Sequence, residues 1–478
     1  VNAVRESTRT VHWLIRAVVI VAAACSLGYA LVEGHEPGLL TLPVLLQAVL
    51  VVVALEVARA LDTGLRIDAL TLFTAWEAMR GCVAPVLIQF VGNGTSFYYR
   101  LGTYADTRFV LFLAILFFAV VVATRVVAGL VRRRTPVAAR PLTPSRIPPW
   151  MLIALGGIGM VIRFPTPVSV QEFLSGSIAG LQGTGAVSSS GIVLVGMLLR
   201  PLLFVGLVVL LRNRRRAGRR WLWLVVPILV SIVFGLASYG LNRATVAYAV
   251  IGVALVFLER ARRAIRLVPT ATVLGLLGTF FVGVGTLRST LWVSRTGLAA
   301  PEVGFIPILQ SVIPYFGTPM QLAASLPPVR VSDPFGLGSF LLSLLSPIPG
   351  APSEARTGSS TALYNNVVYH SFVGKDQLLP TWFEGYLCFG VIGVVLAGIA
   401  VALLQVLSDA MRRRLSTVLG AYAGALFVLW IAQAGVTSFG VVEQNLIYFI
   451  LTPLALAGAA RLWPSRPLPL LRTERPSS

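Results

Sequence analysis

The 478-residue chain is 56% hydrophobic and 12% charged, with a mean hydropathy of +0.84. Soluble proteins carry about 25% charged residues, so this composition excludes an ordinary soluble enzyme and points to a polytopic membrane protein. A net charge of +21 could suggest nucleic-acid binding, but most arginines stand in short blocks beside apolar runs, which is a membrane-orientation pattern, so no nucleic-acid partner is expected.

In chain order, runs long enough to cross a bilayer lie near 13–33, 38–60, 69–91, 107–130, 148–164, 190–211, 221–240, 244–258, 267–287, 380–405, 416–438 and 444–462. The expectation is an all-α, polytopic bundle of about 12 transmembrane helices forming one integral membrane domain over 1–478. Continuous apolar runs exclude a membrane barrel, whose lumen-facing positions would force alternation. Ala22-Ala23-Ala24-Cys25 resembles a lipoprotein cleavage box, but the apolar run continues to Val32, so an uncleaved first helix is predicted.

Placing Arg5 and Arg9 in the cytoplasm puts every dense basic block on that side, including Arg132-Arg133-Arg134, the cluster at 212–220, Arg260 to Arg266 and Arg412-Arg413-Arg414. Both termini are then cytoplasmic, and 464–478 reads as a disordered tail. Residues 288–379 form a large extracytoplasmic loop between helices 9 and 10. Within it, 301–327 and 335–345 are apolar but broken by Pro and Gly, which suggests helices lying at the outer membrane surface, or else re-entrant.

Arginine is scarce outside a bacterial membrane, yet Arg163, Arg243, Arg288 and Arg356 all fall on the outward side. Guanidinium is planar, permanently charged and forked, which suits bidentate pairing with phosphate oxygens. Arg163, Arg243 and Arg288 sit at helix ends, and Arg243 follows a turn too short to need a solubilising charge. The alternative for each is snorkelling to lipid headgroups. His370 is the one histidine of the long loop, and imidazole suits a general base near neutral pH. Glu384 opens a helix, where it can serve as a base or complement the helix dipole. Glu77, Arg80 and Arg200 lie inside apolar runs as intramembrane charges. Glu77 and Arg80 are spaced to pair on one helix face, and a bridge from Arg200 to Glu77 would also account for all three. Cys25, Cys82 and Cys388 lie in apolar runs, and neither a metal-ligand cluster nor a cofactor motif is present.

Four stretches resemble one family. Ala237-Ser238-Tyr239-Gly240-Leu241-Asn242-Arg243 is similar to a small-residue turn ending in Arg before a helix. Ser311-Val312-Ile313-Pro314-Tyr315-Phe316-Gly317-Thr318-Pro319 is similar to a Tyr/Pro segment of a large loop. Asn366-Val367-Val368-Tyr369 resembles the exit of that loop, and Glu384-Gly385-Tyr386-Leu387-Cys388-Phe389-Gly390-Val391-Ile392-Gly393 resembles the Gly-rich helix beyond it. Together they resemble the bacterial O-antigen (Wzy-type) or oligosaccharide repeat-unit polymerases, relatives of the O-antigen ligases. The resemblance implies a glycosyltransferase of cell-surface polysaccharide biosynthesis, acting in the plasma membrane on undecaprenyl-pyrophosphate-linked oligosaccharides without a cofactor. Membrane lipid, a flippase and chain-length regulator proteins would be its partners. Arg243 and Arg288, with Arg356 and Arg163, would hold the pyrophosphate, and His370 or Glu384 would take the acceptor's proton. An O-antigen ligase-like transferase and a non-enzymatic lipid-linked oligosaccharide flippase remain the alternatives. A polyprenyl-phosphate-sugar transferase is disfavoured by the short first outer loop, Glu33-Gly34-His35-Glu36-Pro37.

Overall fold

A computed structural model describes residues 2–33, 36–61, 63–91, 102–131, 147–163, 318–348, 350–370 and 379–462, with single positions between 195 and 209 and between 251 and 256. These residues are all-helical, with no strand. Among the described residues, four helices are long and apolar enough to cross a membrane: Glu6–Val32, Gly38–Leu61, Tyr104–Val131 and Thr381–Arg414. The expected runs from 221 to 240 and from 267 to 287 lie outside the described residues, as do more than half of the positions at 190–211 and most of those at 244–258.

The first helices are turned inside out relative to a soluble protein. Helix α1 (Asn2–Glu33) buries Ser7, His12 and Ser26 while exposing Trp13, Ile20, Val21, Leu31 and Val32. Its buried polar groups find partners on neighbours, as hydrocarbon would demand. His12 Nε2 meets Thr71 Oγ1 at 3.1 Å, and Ser26 Oγ donates to Gln89 Oε1 at 2.8 Å. Helix α2 (Thr41–Leu61) packs beside it. The predicted span at 69–91 is interrupted: α3 (Ala69–Ala78) passes through a π-helical turn, Met79–Val83, into α4 (Ala84–Val91). Pro85 explains the bulge, because its ring clashes with the carbonyl four residues back and has no N–H to give. The same device recurs late in the chain. There, α13 (Phe439–Asn445) passes through the π turn Leu446–Leu451 into α14 (Thr452–Leu462), whose Pro453 again stands two residues beyond the turn.

Helix α5 (Tyr104–Val131) is a continuous apolar rod, and α6 (Pro149–Arg163) is shorter. Four shorter helices then occupy much of the segment expected as a loop: α7 (Thr318–Ser332), α8 (Leu337–Leu345), α9 (Ser353–Thr357) and α10 (Ser360–Tyr369). Helix α7 runs through Pro327 and Pro328 to its last turn.

The span expected at 380–405 is longer and broken. Helix α11 (Thr381–Arg414) contains Gly390 at φ 63°, ψ −150°, a conformation open essentially to glycine alone. A Cβ on Gly385 would collide with Gly393, and one on Gly393 with Gly385, so the chain folds back there as a tight hairpin of two arms. Their depths can be reckoned from contacts. Asp409 Oδ1 accepts the Ala69 amide at 2.9 Å, which sets a common level for α3 and α11. For helices along one axis, at ~1.5 Å per residue, Arg80 lies ~16 Å above that level and Gly390 ~28 Å. Arg80 and Trp382 share the Gly435 carbonyl, so the arm at 381–389 begins near Arg80's depth and climbs ~13 Å, which closes the hairpin. Helix α5 gives the same scale: Arg125 pairs with Asp409 at one end, and Phe109 stacks edge-on against Tyr386 ~24 Å away. The first arm of α11 is therefore set within the bundle and is not the outer end of a straight span.

Helix α12 (Val418–Ala432) is buried on every side, as expected of a helix apolar all round. It stops short of the predicted 416–438, turning through residues 433–438 into α13. Arg412, part of the basic block expected on the cytoplasmic side, is 1% exposed in the last turn of α11.

Replacing Gly390 by Ala should place a Cβ in a conformation that costs on the order of 1–3 kcal/mol. Thermal unfolding of the purified variant should show a lowered midpoint, while Gly157→Ala, where nothing lies within 4 Å, should leave it nearly unchanged.

Candidate functional site

Three polar clusters lie in the described bundle. The first joins the broken elements. The turn at 433–438 presents carbonyls that no helix satisfies, and buried backbone polar groups need partners. Thr381 answers Ala434 twice, its amide donating at 3.1 Å and its hydroxyl at 2.7 Å. Gly435 O accepts from Trp382 Nε1 at 3.2 Å and from Arg80 Nη1. Arg80 in turn pairs with Glu77 at 2.9 Å, both almost fully buried, and Gln47 Nε2 donates to the Glu77 carbonyl at 3.3 Å. A cavity of about 10 Å³ lies beside this pair, lined by Gln47, Gly81, Leu111 and Trp382 among others. It has room for about one water and none for a sugar or a phosphate.

The second cluster surrounds Glu384, which is 0% exposed. Ser343 Oγ of α8 donates to Oε1 at 2.7 Å, and the Phe439 amide at the start of α13 donates to Oε2 at 2.9 Å. One turn further on, Cys388 Sγ meets Ser339 of α8 at 3.8 Å and Ser360 of α10 at 3.6 Å. Thr361 Oγ1 donates to Ser438 Oγ, the N-cap of α13, at 3.2 Å. The first arm of α11 is thus the post to which α8, α10 and α13 are tied. Ser438 caps α13 through the Val441 amide, which explains why the chain restarts a helix there.

The third cluster lies at the opposite end. Asp409 pairs with Arg125 at 2.7 Å and, through its other oxygen, approaches Arg412 at 3.8 Å and accepts the Ala69 amide. Asp68 caps α3 by accepting from the Thr71 amide at 2.8 Å. Nearby, Arg413 Nη1 donates to the Thr63 carbonyl at 3.1 Å, and Arg66 Nη1 donates to Ser7 Oγ at 3.3 Å. These groups staple α1, α3, α5 and α11 together.

The sequence-predicted residues divide among these places and the surface. Glu384 is in the second cluster, and Glu77 and Arg80 are in the first. Arg200 is 4% exposed, and its backbone packs against α6 at Gly159; the described ion pair of Glu77 is with Arg80, not Arg200. Arg163 is the last residue of α6. Arg356 is exposed on α9, and His370 is exposed at the end of α10, in the left-handed conformation at φ 53°. Arg243 and Arg288 lie outside the described residues. Among the described residues no group of three or more His, Cys, Asp or Glu is placed to hold a metal ion.

Sequence reasoning passed over Asp68, Arg125, Asp409, Trp382 and Ser343. Arg125 carried a usable signal, being a charge inside an apolar run, and Asp409 and Arg412 have the spacing of a helical ion pair. Ser343 gave none. Neither protein-family models, curated proteins nor solved structures match this chain.

Glu384→Ala would strip both the Ser343 hydroxyl and the Phe439 amide of their acceptor. The expected cost is about 1–3 kcal/mol for each group left unpaired, and less for Ser343→Ala. Thermal unfolding should rank Glu384→Ala below Ser343→Ala, and both below the parent protein.

Proposed function

We propose that this chain polymerises undecaprenyl-pyrophosphate-linked oligosaccharide repeat units at the outer face of a bacterial plasma membrane. In this reading it is a multi-pass bundle of about 12 spans with cytoplasmic termini, and residues 288–379 face outward. A flippase would deliver its substrate, and chain-length regulators would set the product. The observation that carries the reading is the placing of α8, α9 and α10 around the re-entrant arm of α11. This leaves Arg356 and His370 exposed to either side of Ser360, which meets Cys388 on that arm.

In the reaction, an acceptor sugar hydroxyl attacks the anomeric carbon of the lipid-linked chain. The bond from that carbon to the pyrophosphate oxygen breaks, and its electron pair leaves on the diphosphate. Arg243 and Arg288, with Arg356 and Arg163, would stabilise the negative charge that grows there. His370 would receive the proton released by the acceptor hydroxyl. Both oxygens of Glu384 are engaged, so it is a positioning residue that holds the surrounding helices. Diphosphate is a good leaving group, so the scheme calls on no metal. A ligase-like transfer to a different acceptor would use the same chemistry.

One observation favours a flippase instead. Buried charges stand at two further depths, Glu77 with Arg80 and Asp409 with Arg125, where a transport path would need them. Each is packed against protein, and the described cavity beside Arg80 admits no sugar.

Deleting the gene should leave single repeat units displayed outside the cell. Units trapped on the cytoplasmic side would instead identify a flippase. Arg243→Ala or Arg288→Ala should abolish polymer with the protein still in the membrane; normal polymer length in both variants would end the pyrophosphate assignment.

A further inference from the structure

Helix α8 has its polarity reversed. Ser339 and Ser343 point inward to Cys388 and Glu384, while Leu337, Leu341 and Leu345 stand outward at 60%, 49% and 45% exposure, followed by Ile348 just beyond the helix at 41%. A helix resting in water would place those two sets the other way round. The contacts also fix where α8 lies. Ser339 sits beside Cys388 and Ser343 beside Glu384, so α8 runs antiparallel to the first arm of α11, one turn matching one turn. The edge-on contact of Phe340 with Phe389 at 5.4 Å keeps the same register. Because that arm descends from Gly390 toward the depth of Arg80, α8 descends with it.

We infer that α8 is seated in the hydrocarbon of the leaflet nearer Gly390, with its leucine ridge packed by lipid acyl chains. Two observations choose lipid as the occupant. The second arm of α11, of transmembrane length, exposes Ile392, Leu396 and Leu403 in the same way, so the ridge belongs to an apolar surface of bilayer character. The exposed side chains turn polar at α9, with Ser353, Glu354 and Arg356, which marks the edge of lipid contact. There Arg356 can extend toward headgroups. Of the two placements expected for 335–345, at the membrane surface or re-entrant, this is the second, and it does not rest on the reaction proposed above.

The test uses the full chain with Cys25 and Cys82 changed to Ala and Cys388→Ser, which keeps a hydroxyl where the thiol meets Ser339 and Ser360. A spin label is placed at Leu341→Cys or Glu354→Cys in vesicles of phosphatidylethanolamine and phosphatidylglycerol. At position 341, relaxation by oxygen, which concentrates in hydrocarbon, should exceed relaxation by a water-soluble nickel chelate several-fold. At position 354 the order should reverse. Leu345→Cys gives an independent reading should the label at 341 impair insertion. Preferential relaxation by the nickel chelate at 341 and 345 would place α8 in water and overturn the inference. Access by neither reagent would overturn it too, showing protein, such as a second copy of this chain, over the ridge.

Discussion

A backbone carbonyl inside a bilayer has no water to turn to, so every interruption of a helix there must be answered by another group. This constraint organises the described structure. The turn at 433–438 leaves two carbonyls at bundle depth, and Arg80, Thr381 and Trp382 answer them. That one junction joins a span with a π bulge, a hairpin folded at Gly390 and a helix stopped short after Ala432. Arg80's charge is balanced by Glu77 on its own helix, so the junction brings both donor and counter-charge into the apolar interior. Removing one partner of such a pair costs far more than the pair itself contributes.

From this junction follows the position of everything at the Gly390 end. The first arm of α11 can begin at depth because Thr381 is anchored there. It then presents Glu384 and Cys388 outward to Ser343, Ser339 and Ser360, which hold α8 and α10 in place. The charged staple around Asp409 does the corresponding work at the other end, so that α11 is pinned at both ends. Elements pinned in this way position groups better than loop tips do. This is why Arg356 and His370, though exposed, hang from a fixed support.

Much of the architecture was legible in the sequence because transmembrane helices announce themselves by length and hydropathy. The long helices at Glu6–Val32, Gly38–Leu61 and Tyr104–Val131 match their apolar runs closely. What composition hides is a break inside an apolar run. Residues 380–405 read as one helix because nothing in the hydropathy of Gly390 distinguishes a hinge from a packing glycine. Pro85 and Pro453 could have flagged the two π turns. Helix α8 reads in the sequence as a surface or re-entrant helix, because 335–345 is apolar but interrupted by Gly and too short to span, and the choice between the two waits on the partners of Ser339 and Ser343. The partners come from α11, far along the chain, and no local pattern encodes them. The candidate site was legible only in its residue types. Glu384 proved to be enclosed, and the spacing that pairs Asp409 with Arg412 stands in the sequence directly before a basic block that reads as an orientation signal.

The central claim is that the turn at 433–438 and the start of α11 form one enclosed junction held by Arg80. Hydrogen–deuterium exchange of the protein in lipid nanodiscs tests it most directly. The account predicts that the amides of residues 379–384 and 433–439 exchange as slowly as those of α5, and that Arg80→Gln speeds both stretches together while α5 stays protected. Rapid exchange of both stretches in the unaltered protein, at the rate of an open loop, would contradict it.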